Sequence, residues 1–367
     1  MYYKKYGNTG IDVSAIGFGG MRFDEQQVKD GEFAKCAEVA VYAYEKGINY
    51  FDTAPYYNAD HSETIIGKAV AQMERNKVYL SSKTNFGTIE GEPTRDGFFK
   101  RLETSLNRLQ TDYIDFYHLW CVLNLESYEK LMDKLYGYFE EAKQQGMIRN
   151  IVVSSHMQGD DIQNIVNSDK FRGMLIGYNA LNYGFRQSGI EKAYQKGMGV
   201  VAMNPLGGGT IPDNPEMFSY LTKDTDLSVA QAALRFVASH REITITLAGF
   251  TTTAQIDDAV KAVADLKEKP AQAIVEEYAQ KGHAFNDLCT GCGYCVGCPV
   301  DIAIPKYMDS YNQMIFTGKG EKIKDRLNGM WGLPTENAGT CIACGICEKE
   351  CTQHLPIIER LKMIAAL

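Results

Sequence analysis

Tyr50-Phe51-Asp52-Thr53-Ala54, then a stretch of helical period over Glu63–Arg75, then Val78-Tyr79-Leu80-Ser81-Ser82-Lys83-Thr84: residues 50–84 read as one strand–helix–strand unit. Both strand runs are short and largely apolar, as strands covered on both faces are, and a crossover helix is what joins parallel neighbours. The unit recurs along the chain. Strand candidates lie at Ile16–Met21, Tyr50–Ala54, Val78–Thr84, Tyr113–Trp120, Asn150–His156, Met174–Leu181, Gly199–Asn204 and Ile243–Phe250, with helical stretches such as Phe33–Lys46 and Leu125–Gln145 between them. Eight such alternations predict an α/β chain whose parallel sheet closes as a (β/α)8 TIM barrel over residues 1–270. A six-stranded doubly wound sheet is the rival, and it leaves two strands unused. A hairpin signal, Gly7-Asn8-Thr9-Gly10, precedes the first strand.

The 367 residues carry a net charge of −8, with 45% hydrophobic and 23% charged side chains. That mixture is globular, and its acidic balance argues against a nucleic-acid partner. Met1–Gly7 has no apolar core of the kind a secretory signal needs. No window approaches the 18 uninterrupted apolar residues of a membrane span. The expectation is a cytoplasmic protein that binds neither nucleic acid nor membrane. Cys36 and Cys121 stand alone and read as reduced core residues.

After Lys269-Pro270 the pattern changes. Residues 271–285 read as a linking helix, and 286–367 as a second domain. Eight of the ten cysteines fall in the last 79 residues, as Cys289-x2-Cys292-x2-Cys295-x2-Cys298-Pro299 and Cys341-x2-Cys344-x2-Cys347-x3-Cys351. Three thiolates at successive x2 spacings can grip three irons of one cubane, and the fourth cysteine of the run is then better placed for the other cluster. The spacing predicts two 4Fe–4S clusters, one on Cys289, Cys292, Cys295 and Cys351, the other on Cys298, Cys341, Cys344 and Cys347. Structural zinc usually takes two separated Cys-x2-Cys pairs, and a third cysteine in the same run crowds a tetrahedral site. Disulfides need an oxidising compartment, to which nothing in the chain points. The 42 residues between the runs hold a helical stretch at Tyr307–Phe316, which favours a mainly helical ferredoxin-like module.

In a (β/α)8 barrel the reactive groups collect at the C-terminal ends of the strands. Polar residues there are Asp52, Lys83, His118, Ser154, Ser155, His156, Asn179 and Asn204, with Tyr57 in the loop after the second strand. A lysine ending an apolar strand must pair, and Asp52 on the neighbouring strand is its natural partner. A lysine beside Tyr57 favours the phenolate and lowers its pKa, and a tyrosine so tuned can donate a proton to a developing alkoxide. The plain alternative is a structural Asp–Lys pair beside an ordinary surface tyrosine. Gly207-Gly208-Gly209 after the seventh strand and Thr251-Thr252-Thr253 opening the last barrel helix suit contacts to a phosphate, of NAD(P)H or of FMN. Met21, Phe23, Tyr56, Trp120 and Tyr183 are candidate apolar walls for a substrate.

Phe51-Asp52-Thr53-Ala54-Pro55-Tyr56-Tyr57 followed by Ser62-Glu63, Ser81-Ser82-Lys83-Thr84, Asp112-Tyr113-Ile114-Asp115 and Pro205-Leu206-Gly207 together resemble the aldo-keto reductase family over residues 1–265. The tail resembles that family's branch with a fused ferredoxin-like domain. The resemblance implies that Asp52, Tyr57 and Lys83 are three members of a catalytic tetrad, with Tyr57 as proton donor. The family's histidine falls at Trp120. His118 lies two residues earlier on the same strand face, ~6–7 Å deeper, and His156 is a second candidate. The resemblance also assigns a cofactor site to Ser154, Ser155, Met203, Pro205, Leu206, Gly207, Gly249, Thr251, Thr252 and Gln255. Within it Met203 replaces the tyrosine on which relatives stack nicotinamide, Ser155 an asparagine and Leu175 a glutamine. The basic residues for a 2′-phosphate are missing.

Nicotinamide delivers a pair of electrons as hydride, whereas a 4Fe–4S cluster passes one at a time, and a flavin usually converts between them. Three arrangements follow. A flavin sits in the barrel, or NAD(P)H works there while the clusters serve structure or a partner, or the clusters feed a substrate in the barrel directly. The resulting expectation is an iron–sulfur oxidoreductase that reduces a small carbonyl or conjugated carbonyl compound with NAD(P)H, Tyr57 donating the proton, coupled to two 4Fe–4S clusters. The alternative is an electron-transfer protein relaying electrons from a ferredoxin or other carrier.

Overall fold

A computed structural model describes residues 1–89, 93–157, 159–181, 183–223, 225–279 and 287–367. All eight expected strands form: β1 (Ile16–Gly19), β2 (Tyr50–Asp52), β3 (Tyr79–Thr84), β4 (Ile114–Val122), β5 (Ile148–Ser155), β6 (Gly173–Gly177), β7 (Gly199–Met203) and β8 (Ile245–Ala248). Each is parallel to the next, and β8 closes the barrel against β1 through Thr246↔Ile16 and Ala248↔Phe18. The outer ring comprises α1 (Phe33–Glu45), α2 (Ser62–Val70), α3 (Arg95–Leu109), α4 (Leu125–Gln144), α5 (Gly159–Asn167), α6 (Gln187–Gln195), α7 (Val229–Ala238) and α8 (Thr253–Ala262). Local sequence sets where helices begin. Thr94 and Asn124 cap α3 and α4 by accepting from backbone N–H groups of the first turn, and Ser228 with Gln231 forms a reciprocal capping box on α7. On α4 the buried residues Tyr128, Leu131, Met132, Leu135, Phe139 and Ala142 recur every three or four positions, the stripe that packs on the sheet.

Alternation along the strands decides which side chains enter the barrel. Tyr50, Phe116, Val152, Leu175, Val201 and Ile245 point inward and form one core with Tyr6. Tyr6 comes from the turn between two short antiparallel strands, Tyr3–Lys5 and Asp12–Ser14, and its ring lies 4.2 Å from that of Phe116. The hairpin therefore plugs the floor. Above it, the inward positions turn polar: Asp52, Ser81, Lys83 and His118.

The helix α9 (Ala271–Ala279) follows the barrel. The remainder of the expected linking helix, 280–285, lies outside the described residues. The tail is mainly helical, as expected, with α10 (Ile304–Thr317), α11 (Glu321–Arg326) and α12 (Ile357–Ala365). It has its own small core, in which Tyr307, Met308, Leu327, Ile357 and Leu361 pack beside Cys289, Cys347 and Cys351. Among the described residues no helix is long and apolar enough to cross a membrane. The tail sits on the C-terminal face of the barrel, where the reactive strand ends emerge.

Candidate active site and iron–sulfur centres

Asp52 ends β2 and Lys83 lies near the end of β3, on strands in register through Asp52↔Ser81. Lys83 is fully buried. Its Nζ donates to Asp52 Oδ2 at 2.6 Å and to the Thr53 carbonyl at 2.7 Å. Ser81 Oγ donates to Asp52 Oδ1 at 2.6 Å and lies 2.9 Å from His118 Nε2. The hydroxyl has a single proton and gives it to Asp52, so the contact with His118 requires Nε2–H. His118 is thus the floor of a buried network, and Lys83 pairs with it across the β3–β4 ladder. Burial, and then the Lys83 charge, hold His118 well below the ordinary histidine range and keep it neutral.

Tyr57 rises from the β2–α2 loop. Tyr56, Asn58, Ala59 and Asp60 all take left-handed backbone angles, which cost L-residues about 1–2 kcal/mol each. The loop is pinned in return. Arg108 grips both carboxylate oxygens of Asp60 at 2.7 Å, and Asn58 Nδ2 and Ser62 Oγ both donate to the Gly20 carbonyl at 2.7 Å. The Tyr57 ring lies 5.1 Å from Lys83 Nζ and meets Trp120 edge-on at 5.8 Å. The expected depression of its pKa is not what the structure produces. Burial, and then the Asp52 carboxylate, push the phenol well above its ordinary value. The physical reason is that Asp52 compensates the Lys83 ammonium, so desolvation of the phenolate prevails.

Tyr57 and Asp52 line a cavity of about 380 Å³ at the mouth of the barrel. Of the residues expected to bind a cofactor, Met203, Pro205, Leu206, Gly249, Thr251 and Gln255 line it too. Ser154, Ser155, Gly207 and Thr252 do not. Ser155 is buried, with its Oγ bonded to the Val122 carbonyl and the Met157 N–H, and Thr252 caps α8. Gln255 Oε1 accepts from Thr251 N at 2.8 Å, Thr251 Oγ1 at 3.2 Å and Thr252 N at 3.3 Å. The donors expected for a phosphate are therefore engaged within the chain. Of the five candidate walls only Met21 lines the cavity. Phe23 and Tyr183 belong to the core between sheet and helices, Trp120 is buried against Tyr57, and Tyr56 is exposed with its hydroxyl on the Gly87 carbonyl.

His156, at the end of β5, lines the cavity, and its buried Nε2 has no hydrogen-bond partner among the described residues. Burial and the nearby Arg186 hold it at about 3. Its ring meets Tyr294 edge-on at 5.2 Å. Tyr294 stands between Cys292 and Cys295, so part of the cavity wall comes from the tail, with Thr290, Gly291, Cys292, Thr352 and Gln353. None of these, nor Arg22 and Arg186, emerges from strand-end reasoning. The one signal for Tyr294 is its place inside a cysteine run.

The eight tail cysteines separate into two rings. Cys289, Cys292, Cys295 and Cys351 line one small hollow. Cys298, Cys341, Cys344 and Cys347 line another, and Cys295 lines both. Left-handed turns at Gly291 and Gly293 wrap the first run around its hollow, positions a side chain would disfavour. Backbone N–H groups of Leu355 and Ala343 point at Cys351 Sγ and Cys341 Sγ, each at 3.4 Å. Among the described residues no three His, Cys, Asp or Glu side chains close around one point as a single-ion site requires. Thiols ringing a hollow suit a polynuclear cluster, one iron to each sulfur. The donor sets fit two 4Fe–4S clusters.

The barrel thus carries an Asp–Lys pair at the ends of β2 and β3 with a tyrosine above them. Residues 15–278 match the aldo/keto reductase family, and residues 288–356 match the 4Fe-4S dicluster domain. The chain belongs to the aldo/keto reductase family and carries a C-terminal 4Fe–4S dicluster domain. It is 27% identical over 314 residues to a probable aldo-keto reductase 1 of Glycine max, covering 74% of this chain and 87% of that protein. It is 26% identical over 282 residues to the L-galactose dehydrogenase of Arabidopsis thaliana, covering 71% and 88%. The solved structure of aldo-keto reductase AKR11C1 from Bacillus halodurans superposes with a TM-score of 0.64 at 24% identity, over 77% of this chain and 97% of that one, a likeness of fold.

Proposed function

We propose that the protein reduces a small carbonyl or conjugated carbonyl compound held in the barrel cavity, with Tyr57 as proton donor and the dicluster tail as the route by which electrons arrive. The observation that carries this reading is the sharing of Cys292 and Thr290 between the barrel cavity and the hollow of the first cysteine ring. A cluster there would abut the substrate without an intervening protein layer. The clusters, when bound, supply single electrons.

The chain's own residues supply the rest. Reduction of a carbonyl to an alcohol takes up two electrons and two protons. Tyr57, held protonated by burial, gives the proton that oxygen receives, and the proton that carbon receives would come from solvent in the cavity or from the Tyr294 phenol on its wall. Lys83, fastened to Asp52 and Thr53, stands 5.1 Å from the Tyr57 ring, where the part of its charge that Asp52 leaves uncompensated lessens the cost of the phenolate left behind. Tyr294 and His156 face the same cavity as further hydrogen-bonding groups. A small-molecule substrate fits these apolar walls and few polar groups. An outside one-electron carrier, such as a ferredoxin, would load the second cluster.

Membership of the family favours a second reading, in which NAD(P)H brings hydride to the same cavity. The residues fit a dinucleotide only with Gln255 turned away from Thr251 and Thr252, after which those donors, Gly209 and Arg22 would face its phosphates. FMN would need the same donors. Anaerobic turnover decides between the readings. Protein with dithionite-reduced clusters is expected to reduce a panel of enones and ketones without nicotinamide, and Tyr57→Phe to lower that rate by roughly 10²-fold. Reduction that requires NADPH and proceeds equally after the clusters are removed would overturn the cluster-fed reading. Unimpaired turnover by Tyr57→Phe would remove Tyr57 as donor.

A further inference from the structure

Arg186 precedes α6 and is among the largest fully buried side chains, 1% exposed. Its Nε donates to the Met157 carbonyl at 3.1 Å, Nη1 to Gly177 at 3.3 Å, and Nη2 to His156 at 3.0 Å and to Thr352 at 3.1 Å. The first three acceptors lie at the ends of β5 and β6. The fourth belongs to the tail and directly follows Cys351. Thr352 Oγ1 in turn lies 3.3 Å from Cys292 Sγ. One guanidinium thus joins two barrel strands to the loops that carry two cysteines of the cavity-side ring. It lines the cavity together with Cys292 and Thr352.

A cysteine-ligated cubane is anionic, and its reduction adds one more negative charge. A fixed cation nearby favours the reduced state, all the more where water is excluded. Arginine remains charged where a buried lysine would give up its proton. Arg186 lines neither hollow; its link is to the first ring, through Thr352 and Cys292 and through the cavity wall it shares with Cys292.

We propose that Arg186 is a positioning residue for the cavity-side cluster: it docks the tail on the barrel and, by its charge, raises that cluster's reduction potential above the value the same ligands would otherwise give. Electrons entering at the outer cluster are thereby drawn toward the cavity. The inference rests on the two-cluster reading of the tail.

The test is an anaerobic redox titration of the full-length, cluster-loaded protein, poised with dithionite and mediators and followed by EPR. Arg186→Gln is expected to move one of the two midpoints to more negative potential. The reduced-to-oxidised ratio of that cluster at a fixed potential should fall by about tenfold, or about 59 mV for a one-electron couple. The other midpoint should stay in place, and Arg186→Lys, neutral at so dry a site, should shift the same midpoint as Arg186→Gln. Should Arg186→Gln fail to hold iron, Gly177→Asp sets a carboxylate against Nη1, neutralises the charge with the arginine in place, and should give the same one-sided shift. A cluster-loaded variant with both midpoints unchanged, or both moved equally, overturns the proposal. Wild-type protein that yields no cluster signals overturns the two-cluster reading instead.

Discussion

Replacing Asp52 by Asn removes one charge from a pair that is almost wholly out of water, Lys83 at 0% and Asp52 at 3% exposure. At 2.6 Å and an effective dielectric of about 20, the attraction is about 6 kcal/mol. The amide is nearly the same size, and its single oxygen can still accept from Lys83 or from Ser81 but not from both in this geometry, which returns part of that energy. The net loss should fall at about 3–5 kcal/mol, the range for breaking a buried pair by one partner. The pH dependence separates this mechanism from simple misfit. Burial already lowers the Lys83 pKa and Asp52 opposes the shift. Without the carboxylate the lysine's folded pKa falls further below its unfolded value of about 10.4. Between those two values the unfolded chain binds more protons than the folded one, so stability rises with pH, by up to about 1.4 kcal/mol per unit. Asp52→Asn should therefore be weakest near neutrality and recover toward alkaline pH more steeply than the wild type. Urea midpoints of the barrel transition, followed by far-UV circular dichroism under anaerobic conditions, measure this. A loss under about 1 kcal/mol, or a pH slope equal to that of the wild type, would refute the account of the Asp52–Lys83 pair.

Three further outcomes are expected. Gly208 has φ +69°, and a Cβ there would stand 2.2 Å from the Thr290 carbonyl oxygen, so Gly208→Ala should weaken the barrel–tail junction by about 2–4 kcal/mol; limited proteolysis should then release the tail at protease levels that leave the wild type whole. His156 and His240 are buried and held at about 3 and about 4, so their neutral forms contribute fully above the unfolded value of about 6.5. That stability is lost as pH falls below it, roughly 2 kcal/mol for each by about pH 5, and denaturation midpoints that are flat from pH 7 to 5 would contradict it. Cys298→Ser should disable the cluster shared with Cys341, Cys344 and Cys347 although it lies in the first run; iron analysis and EPR would count against the exchanged pairing if the signal of the cavity-side cluster disappeared instead.

The barrel was legible because its signals are local. Apolar runs such as Val78–Thr84 and the capping pairs at α7 and α8 act within a few residues, and eight repeats of one unit leave little choice of topology. The cysteine rings were legible for the same reason, since the spacing inside a run governs which sulfurs can share a cube. The site was legible only in part. Asp52 and Lys83 meet because β2 and β3 are neighbours in register, which the strand order implies. Tyr57's pKa was not legible, because its direction depends on how far Asp52 compensates Lys83 and on how much water reaches the phenol. Thr251 and Thr252 looked free for a phosphate, and only the structure shows Gln255 folded back onto them.

Periodicity, strand order and the spacing within each cysteine run suffice for the alternation that closes the barrel, the Asp–Lys pair at its mouth and the three-cysteine core of each ring. The tertiary structure alone decided that the tail roofs the barrel, so that Tyr294, Thr290 and Cys292 face Tyr57 and His156 across one cavity and Arg186 reaches from β5 and β6 to the loop after Cys351. The groups from the tail lie more than 100 residues along the chain from those of the barrel. No local pattern encodes their meeting, which follows from how two independently packed cores fit against each other.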